Sequence, residues 1–286
     1  MAGIIRFVAL LLTFAALGGM WWAVARVTQE FSVDKSGQPA ATPRQILQQT
    51  AERSFEPGQD EFAQAVGAIA IGDLGEAVAK LENFAQLYPK SPYFPEARRI
   101  LGEIKLDKIL SVENQDNKKR YTVQSGDSYG LIARRNQTTI PSILMVNGLF
   151  ELQRLHPGDD LLMMPLNFSL KLDAERKVVT LVDEDGEDLK DYRPVRWDIP
   201  KVAGTIRQGE ITGKSARKDG RGLPEHHPDY LVNPKLITVK VAGSNVQLRE
   251  AEEENNGRGL FLKPTDLEEI SILTRRGNGV ALLPGS

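Results

Sequence analysis

Residues 121–133 read YTVQSGDSYGLIA, a pattern typical of a short strand, a tight turn and the start of a helix. The first three residues alternate apolar, polar and apolar, as in a strand with one buried face. Gly126 provides a turn position that tolerates positive φ, and Asp127 or Ser128 can cap the helix that follows. The residues on either side decide whether this turn is an ordinary connection or part of a binding surface.

Downstream, the sequence predicts a second helix and a second strand. The helix covers about 140–146, with Pro141 suited to its first turn, and Asn147-Gly148 ends it. A loop containing Pro157-Gly158 then leads to a strand at 161–165. The predicted order is therefore β-α-α-β.

This order and spacing resemble the LysM family from Tyr121 to Pro165. The matching positions are Tyr121, Val123, Gly126-Asp127-Ser128, Ile132-Ala133, Ile143-Leu144, Asn147-Gly148-Leu149, Leu155, Pro157-Gly158, Leu161 and Pro165. The resemblance implies binding of N-acetylglucosamine-containing glycans, above all peptidoglycan, between the loop after the first strand and the loop after the second helix. Carried onto this sequence, the glycan-binding positions are Gly126, Asp127, Ser128 and Tyr129 in the first loop, and Asn147, Gly148, Leu149 and Phe150 in the second.

Backbone amides of such turns can hydrogen-bond saccharide hydroxyl and N-acetyl groups. Tyr129, Leu149 and Phe150 are candidates to cover the apolar face of a sugar. The alternative is that Tyr129 and Leu149 pack the small core and that Asn147 caps a helix. Gly130 departs from the family pattern, which often has a bulky residue there, and this departure weakens or alters the predicted groove.

Composition excludes several classes of function. The 286 residues carry 36 basic and 38 acidic side chains, a formal net charge of -2, so no electrostatic case for nucleic acid exists. Cysteine is absent, which excludes disulfides, thiolate metal sites and cysteine nucleophiles.

Residues 225–229 (EHHPD) favour a solvated loop over a zinc site, since adjacent histidines point apart. Lys214 to Arg221 reads as an exposed basic loop. The sequence predicts no cofactor and no metal.

The N-terminus predicts export. Phe7 to Ala25 is a run of nineteen residues in which only Thr13 is polar, and as a helix it spans a bilayer core of roughly 30 Å. An uncleaved anchor within residues 1–31 is favoured over a signal peptide cleaved near Ala25. The first interpretation predicts a single-pass membrane protein with its bulk exported, and the second a secreted one. Residues 32–59 read as a flexible linker.

Three helices are predicted from Asp60 to Leu110, with breaks at Gly72-Asp73 and Tyr88-Pro89. Residues 72–104 resemble a tetratricopeptide-type unit of bacterial envelope proteins. They cover about one and a half repeats, fewer than a solenoid needs alone, so packing against a partner would explain how they fold. A helical stalk and a protein-binding surface are the two interpretations of segment 60–111. A charged linker at 112–120 follows.

Residues 167–286 predict a β-rich domain. Hairpins are expected at 168–182 and 236–248, and a strand at 280–283. A helix is expected from a capping box at Thr265 to Leu273, with Arg275 and Arg276 in its last turn and Gly277 as the stop. The layout resembles the L,D-transpeptidase catalytic domain, which cross-links peptidoglycan peptides with a cysteine. Here the nucleophile position falls on Gly259 and the arginine position on Phe261, so the resemblance implies an inactive scaffold.

Together these features predict an α+β multidomain protein with a transmembrane helix, a helical segment, a LysM module and a mainly β C-terminal domain. The predicted function is binding of peptidoglycan by an exported, membrane-anchored protein that is not an enzyme. The alternatives are a peptidoglycan-modifying enzyme of L,D-transpeptidase-like type and an envelope scaffold that recruits wall-synthesis partners.

Overall fold

The computed structural model describes residues 56–199, 204–251 and 257–285. They belong to one compact unit, Glu56–Ser286. The predicted anchor at 1–31 and nearly all of the linker at 32–59 lie outside the described residues. Within the described ranges, the structure contains no helix with the length and apolar character needed to cross a bilayer.

Three helices open the described chain: α1 (Gln59–Ala70), α2 (Leu74–Leu87) and α3 (Phe94–Leu110). The Asp73 side chain caps α2 by accepting a hydrogen bond from the Glu76 amide at 2.9 Å. The predicted helices and both breaks are confirmed. The likeness to a tetratricopeptide unit stays a prediction.

The α3 helix packs on the C-terminal sheet as well as on α2. Arg98 on this helix forms a two-pronged ion pair with Asp191, with both N–O distances at 3.2 Å. Gly102 lies so close to the backbone of Lys190 that a Cβ on the glycine would be 3.0 Å from the Lys190 Cα. The packing partner that so short a helical segment requires is therefore a strand of its own chain.

The next four elements are β1 (Lys119–Thr122), α4 (Tyr129–Arg135), α5 (Ile140–Val146) and β2 (Asp160–Met163). The strands pair antiparallel, with Tyr121 opposite Leu161. Ser128 caps α4 and Thr139 caps α5 through their side chains. The predicted β-α-α-β order is thus confirmed, with a core made of Val123, Tyr129, Ile132, Ala133, Ile140, Ile143, Leu144, Leu161 and Met163.

A large sheet makes up the C-terminal part of the described chain. Its strands follow the order β5-β4-β3-β12-β7-β9-β10-β11-β6, and β8 pairs with β7. The pairs β3–β12 and β10–β11 are parallel, and the other pairs are antiparallel. The strands are β3 (Ser169–Asp173), β4 (Val178–Val182), β5 (Asp188–Tyr192), β6 (Arg196–Asp198), β7 (Arg207–Lys218), β8 (Arg221–Leu223), β9 (Lys235–Val241), β10 (Ser244–Glu250), β11 (Gly259–Leu262) and β12 (Gly279–Leu283).

The two predicted hairpins are confirmed as β3–β4 and β9–β10, and so is the end of the late helix at Leu273, but its predicted start is wrong. This helix, α6 (Pro264–Leu273), follows Lys263, whose side chain makes no capping hydrogen bond. Proline at the first helical position fixes φ for the helix, so it begins before the expected cap at Thr265. The helix ends at Leu273 and leaves Arg275 and Arg276 beyond its last turn.

The β-α-α-β module shares its packing with the sheet. Val146, at the end of α5, belongs to the core of the large sheet rather than to that of the module. Asn278 is buried and donates a hydrogen bond to the Leu166 carbonyl at 2.9 Å, and the Leu166 amide donates to the Gln137 carbonyl at 2.9 Å. Apolar contacts and buried hydrogen bonds therefore both fix the module to the sheet.

Candidate functional site

The first loop of the module is held by the carboxylate of Asp127. It accepts hydrogen bonds from the Tyr121 hydroxyl at 2.6 Å, the Gln124 amide at 2.9 Å and the Arg135 guanidinium at 2.9 Å. The Tyr121 bond is the largest cause of the lowered pKa of Asp127. With only 3% of its side chain exposed, Asp127 shapes the turn. Gly126 has a φ of 85°, which a glycine adopts without strain.

Ser128 and Tyr129 take different positions after this turn. The Ser128 hydroxyl accepts a hydrogen bond from the Leu131 amide at 3.4 Å and stays exposed. The Tyr129 ring packs in the core with 8% of its surface exposed, and burial is the main cause of its raised pKa. Its hydroxyl also hydrogen-bonds the backbone of Gln153. This contact places the start of α4 beside the loop that follows α5.

Asn147 joins the second helix to the second strand. Its side-chain amide donates to the Ile143 carbonyl at 2.7 Å and to the Leu162 carbonyl at 2.8 Å, and its oxygen accepts from the Leu162 amide at 2.7 Å. These bonds use both N–H donors of the side-chain amide and one of the two lone pairs of its oxygen. Asn147 therefore positions the loop after α5, as the structural alternative proposes.

The remaining residues of the second loop are more open. Gly148 has a φ of 64°, and the Leu149 amide donates to the Leu144 carbonyl at 2.8 Å to complete the helix end. Leu149 is half-buried against the module core, whereas the Phe150 ring is 71% exposed. Among the eight predicted positions, Phe150 offers the most open apolar side chain.

Two further apolar side chains, Met145 and Leu152, are exposed near Phe150 in the sequence. Sequence reasoning missed both. The signal for Met145 was available, because it lies outside the apolar stripe of α5. Leu152 carried no such signal in an irregular loop. The assignment of Gly126, Asp127, Ser128, Tyr129, Asn147, Gly148, Leu149 and Phe150 to glycan contact stays a prediction.

Gly130 lies on the open side of α4. A Cβ built there meets no atom within 4 Å. The missing side chain thus leaves open surface beside the first loop, and a larger residue would have room to extend this surface.

Gly259, which occupies the position expected for a nucleophile, is closely packed against a neighbouring strand. Gly259 has a φ of 150°, and a Cβ on it would lie 2.3 Å from the Gln247 carbonyl oxygen. Phe261 is buried, and the Arg196 guanidinium stands 3.5 Å from the centre of its ring. Gly259 has no room for a cysteine side chain without a shift of the Gln247 backbone, and the chain contains no cysteine.

The prediction that Lys214 belongs to an exposed basic loop is wrong. Its ammonium is buried and contacts the Ser271 carbonyl at 2.6 Å, the Thr274 carbonyl at 2.5 Å and the Glu225 carboxylate at 2.7 Å. Burial lowers the pKa of Lys214, and Glu225 opposes that effect. The pairing register of β7 shifts between Ile211 and Gly213, which changes the strand face on which the following residues lie.

The EHHPD stretch also serves the fold. Glu225 pairs with Lys214, and the Nδ1 atom of His227 accepts a hydrogen bond from the Asp229 amide at 3.1 Å. His227 thereby caps a short 3₁₀ helix, Pro228–Tyr230. These contacts give the stretch a structural role.

Comparison with known proteins identifies the module. Residues 121–163 match the LysM domain family, and no curated protein matches the chain. L,D-transpeptidase 1 of Mycobacterium tuberculosis is similar in structure, with 14% identity and a TM-score of 0.28 over 42% of this chain and 61% of that one. An L,D-transpeptidase of Stackebrandtia nassauensis has 11% identity and a TM-score of 0.30 over 51% of this chain and 64% of that one.

The similar regions span less than two thirds of both transpeptidases. Both are L,D-transpeptidases, the family whose layout residues 167–286 resemble. The LysM match agrees with the observed β-α-α-β order, strand pairing and loops. Residues 121–163 are therefore a LysM domain.

Proposed function

We propose that this protein binds N-acetylglucosamine-containing glycans, above all peptidoglycan, through its LysM domain. The observation that carries the proposal is the family match at residues 121–163 on a complete β-α-α-β module. The absence of cysteine and the crowding at Gly259 favour binding over thiol chemistry in the C-terminal domain.

The binding surface in this proposal combines fixed backbone and exposed apolar side chains. Asp127 and Asn147 hold the two loops through hydrogen bonds within the module, so the loops keep their shape without ligand. A pre-formed loop loses little conformational entropy on binding. Phe150 then covers the apolar face of a sugar ring, while the exposed backbone of the turns at Gly126 and Gly148 bonds its polar substituents.

We further propose that the apolar run at 7–25 holds the protein at a membrane with the LysM domain on the exported side. A single module of this size binds a polymer weakly. Confinement near the polymer raises its effective concentration, and each rebinding event then resembles an intramolecular step. The protein would thus tether the cell wall to the membrane.

Phe150→Ala tests the placement of the binding surface. Because Phe150 is 71% exposed, the substitution leaves folding unchanged. Loss of a Phe contact with the sugar removes about 1.4 kcal/mol, which corresponds to roughly tenfold weaker binding. Co-sedimentation of the full-length protein with purified insoluble peptidoglycan measures this loss.

Leu87→Ala is the matched control, since Leu87 is 69% exposed at the end of α2. Its retention on peptidoglycan should equal that of the unmodified protein. If the unmodified protein stays in the supernatant, the proposed function is rejected. If Phe150→Ala sediments with peptidoglycan as fully as the control, the proposal of peptidoglycan binding is retained, but the placement of the binding surface at Phe150 is rejected.

A further inference from the structure

A cleft of about 660 Å³ lies where the helical segment, the LysM module and the C-terminal sheet meet. Its lining comes from α3, from the linker before β1, from the residues after β2 and from the turn between β4 and β5. It is separate from the two predicted glycan loops, because Lys119 lines it at the start of β1 whereas the first loop follows the end of that strand. The volume falls in the range of ligand pockets, roughly 300–1,000 Å³.

The cleft carries charges of both signs from different elements. Lys105 and Lys108 on α3 and Lys119 on β1 supply ammonium groups. Carboxylates come from Asp116 in the linker and from the turn between β4 and β5, at Asp183, Glu184 and Asp185. Lys105 pairs with Glu82 at 2.7 Å, whereas Lys108, Lys119 and Asp185 form no ion pair among the described residues. Opposite charges therefore line one volume without neutralising each other directly.

The apolar part of the lining gives the cleft a hydrophobic base. Met164 and Phe168 are buried, and the half-buried Ile109 also lines the cleft. Ligand pockets commonly combine such an apolar surface with a few polar groups that fix orientation. A ligand that fits has apolar side chains and charges of both signs.

We propose that this cleft binds a short peptide that carries both ammonium and carboxylate groups. A simple anion is disfavoured by the three carboxylates of the turn, and a simple cation by the lysines. The inference rests on the proposed function in one respect: the peptide chains of peptidoglycan have this chemistry and accompany the glycan. The LysM loops and the cleft would then bind the two components of one polymer at separate places.

Calorimetric titration of the full-length protein in mild detergent tests the proposal. The probe is a synthetic alanyl-glutamyl-lysyl-alanine tetrapeptide with the stereochemistry of the cell wall. Charge reversal by Lys108→Glu with Lys119→Glu should weaken binding about tenfold or more. Blocking the charges of the peptide by N-acetylation and amidation should weaken it similarly.

The matched control is Lys90→Glu with Lys240→Glu, which reverses two exposed lysines outside the cleft. Its affinity should stay unchanged. No heat of binding with the free tetrapeptide, or equal affinity for the two double variants, overturns the inference. A parallel titration with chitotetraose reports on the glycan loops alone, so loss of the peptide signal with retained chitotetraose binding rejects only the cleft.

Discussion

The Asp127 carboxylate accepts three hydrogen bonds within its own module, and each is stronger to the ionised form than to the neutral acid. The pKa of Asp127 is accordingly lowered in the folded protein, with the Tyr121 hydroxyl as the first cause. A lowered pKa in the folded state means that ionised Asp127 adds stability above its unfolded pKa of about 3.9. That contribution is lost as pH falls through the folded pKa.

Asp127→Asn should therefore destabilise the protein at pH 6 and less at pH 3, because below about pH 3.9 the unfolded chain binds a proton at this carboxylate and the stability that ionised Asp127 adds decreases. The measurement is the difference in urea midpoint between the variant and the unmodified protein at the two pH values. Glu175→Gln, at an exposed position, is the control and should show the same midpoint as the unmodified protein at both. A difference that is as large at pH 3 as at pH 6 would contradict the assignment.

At the scale of single side chains, the sequence predicts local roles, such as turns and helix ends, better than it predicts long-range hydrogen-bond partners. The turn at Gly126 and the helix ends at Ser128 and Asn147 follow local rules and were predicted. The bonds from Asn147 to Leu162 span fifteen residues, and no local rule contains them. Lys214 was misassigned because its partners, Ser271 and Glu225, come from other parts of the chain.

At the scale of elements, two glycines in helices occupy opposite environments. Gly67 in α1 has no atom within 4 Å of the position of a Cβ, whereas a Cβ on Gly102 in α3 would lie 2.8 Å from the Lys190 Cγ. Alanine favours helix over glycine by roughly 0.5–1 kcal/mol when space is available. Where space is absent, overpacking costs about 1–3 kcal/mol.

Gly67→Ala should thus raise the free energy of unfolding by roughly 0.5–1 kcal/mol. Gly102→Ala should lower it by about 1–3 kcal/mol. Urea unfolding of both variants measures the difference, and each serves as the control for the other because both place an alanine in the middle of a helix. Equal effects of the two substitutions would show that α3 does not pack against β5 in solution.

The helices α1, α2 and α3 were predictable because their stop signals are local: Gly72-Asp73 and Tyr88-Pro89 are visible in the sequence. The strands β3, β4, β9 and β10 were predictable for a similar reason, since each pair is a hairpin with a short turn. The position of α3 on β5 was not, because Arg98 and Asp191 are far apart in sequence. The parallel pairing of β12 with β3 is equally non-local.

At the scale of the whole molecule, the LysM domain and the sheet should unfold together. Val146 contributes to the sheet core, and Asn278 bonds both the Leu166 carbonyl and the Arg275 amide. A LysM domain cut out at its sequence boundaries would expose Val146 to water. Binding studies on an excised module therefore underestimate its stability in the intact chain.

Asn278→Ala should reduce hydrogen-exchange protection in both parts, because it leaves buried groups unpaired at a cost of about 1–3 kcal/mol. The Val123 amide, which bonds the Asp159 carbonyl at 2.8 Å, reports on the LysM domain, and the amides of β9 report on the sheet. Both should lose protection by the same factor. Loss in β9 with full protection at Val123 would show that the two parts unfold independently.

The contact between Gly259 and the Gln247 carbonyl also bears on how this sequence can change over generations. A Cβ at 2.3 Å from a backbone oxygen is excluded, so every substitution of Gly259 first requires a shift of the neighbouring strand. A cysteine there would be accommodated only if the β10 backbone at Gln247 moved. The route from this chain to thiol chemistry at that position thus involves the neighbouring strand as well as Gly259 itself.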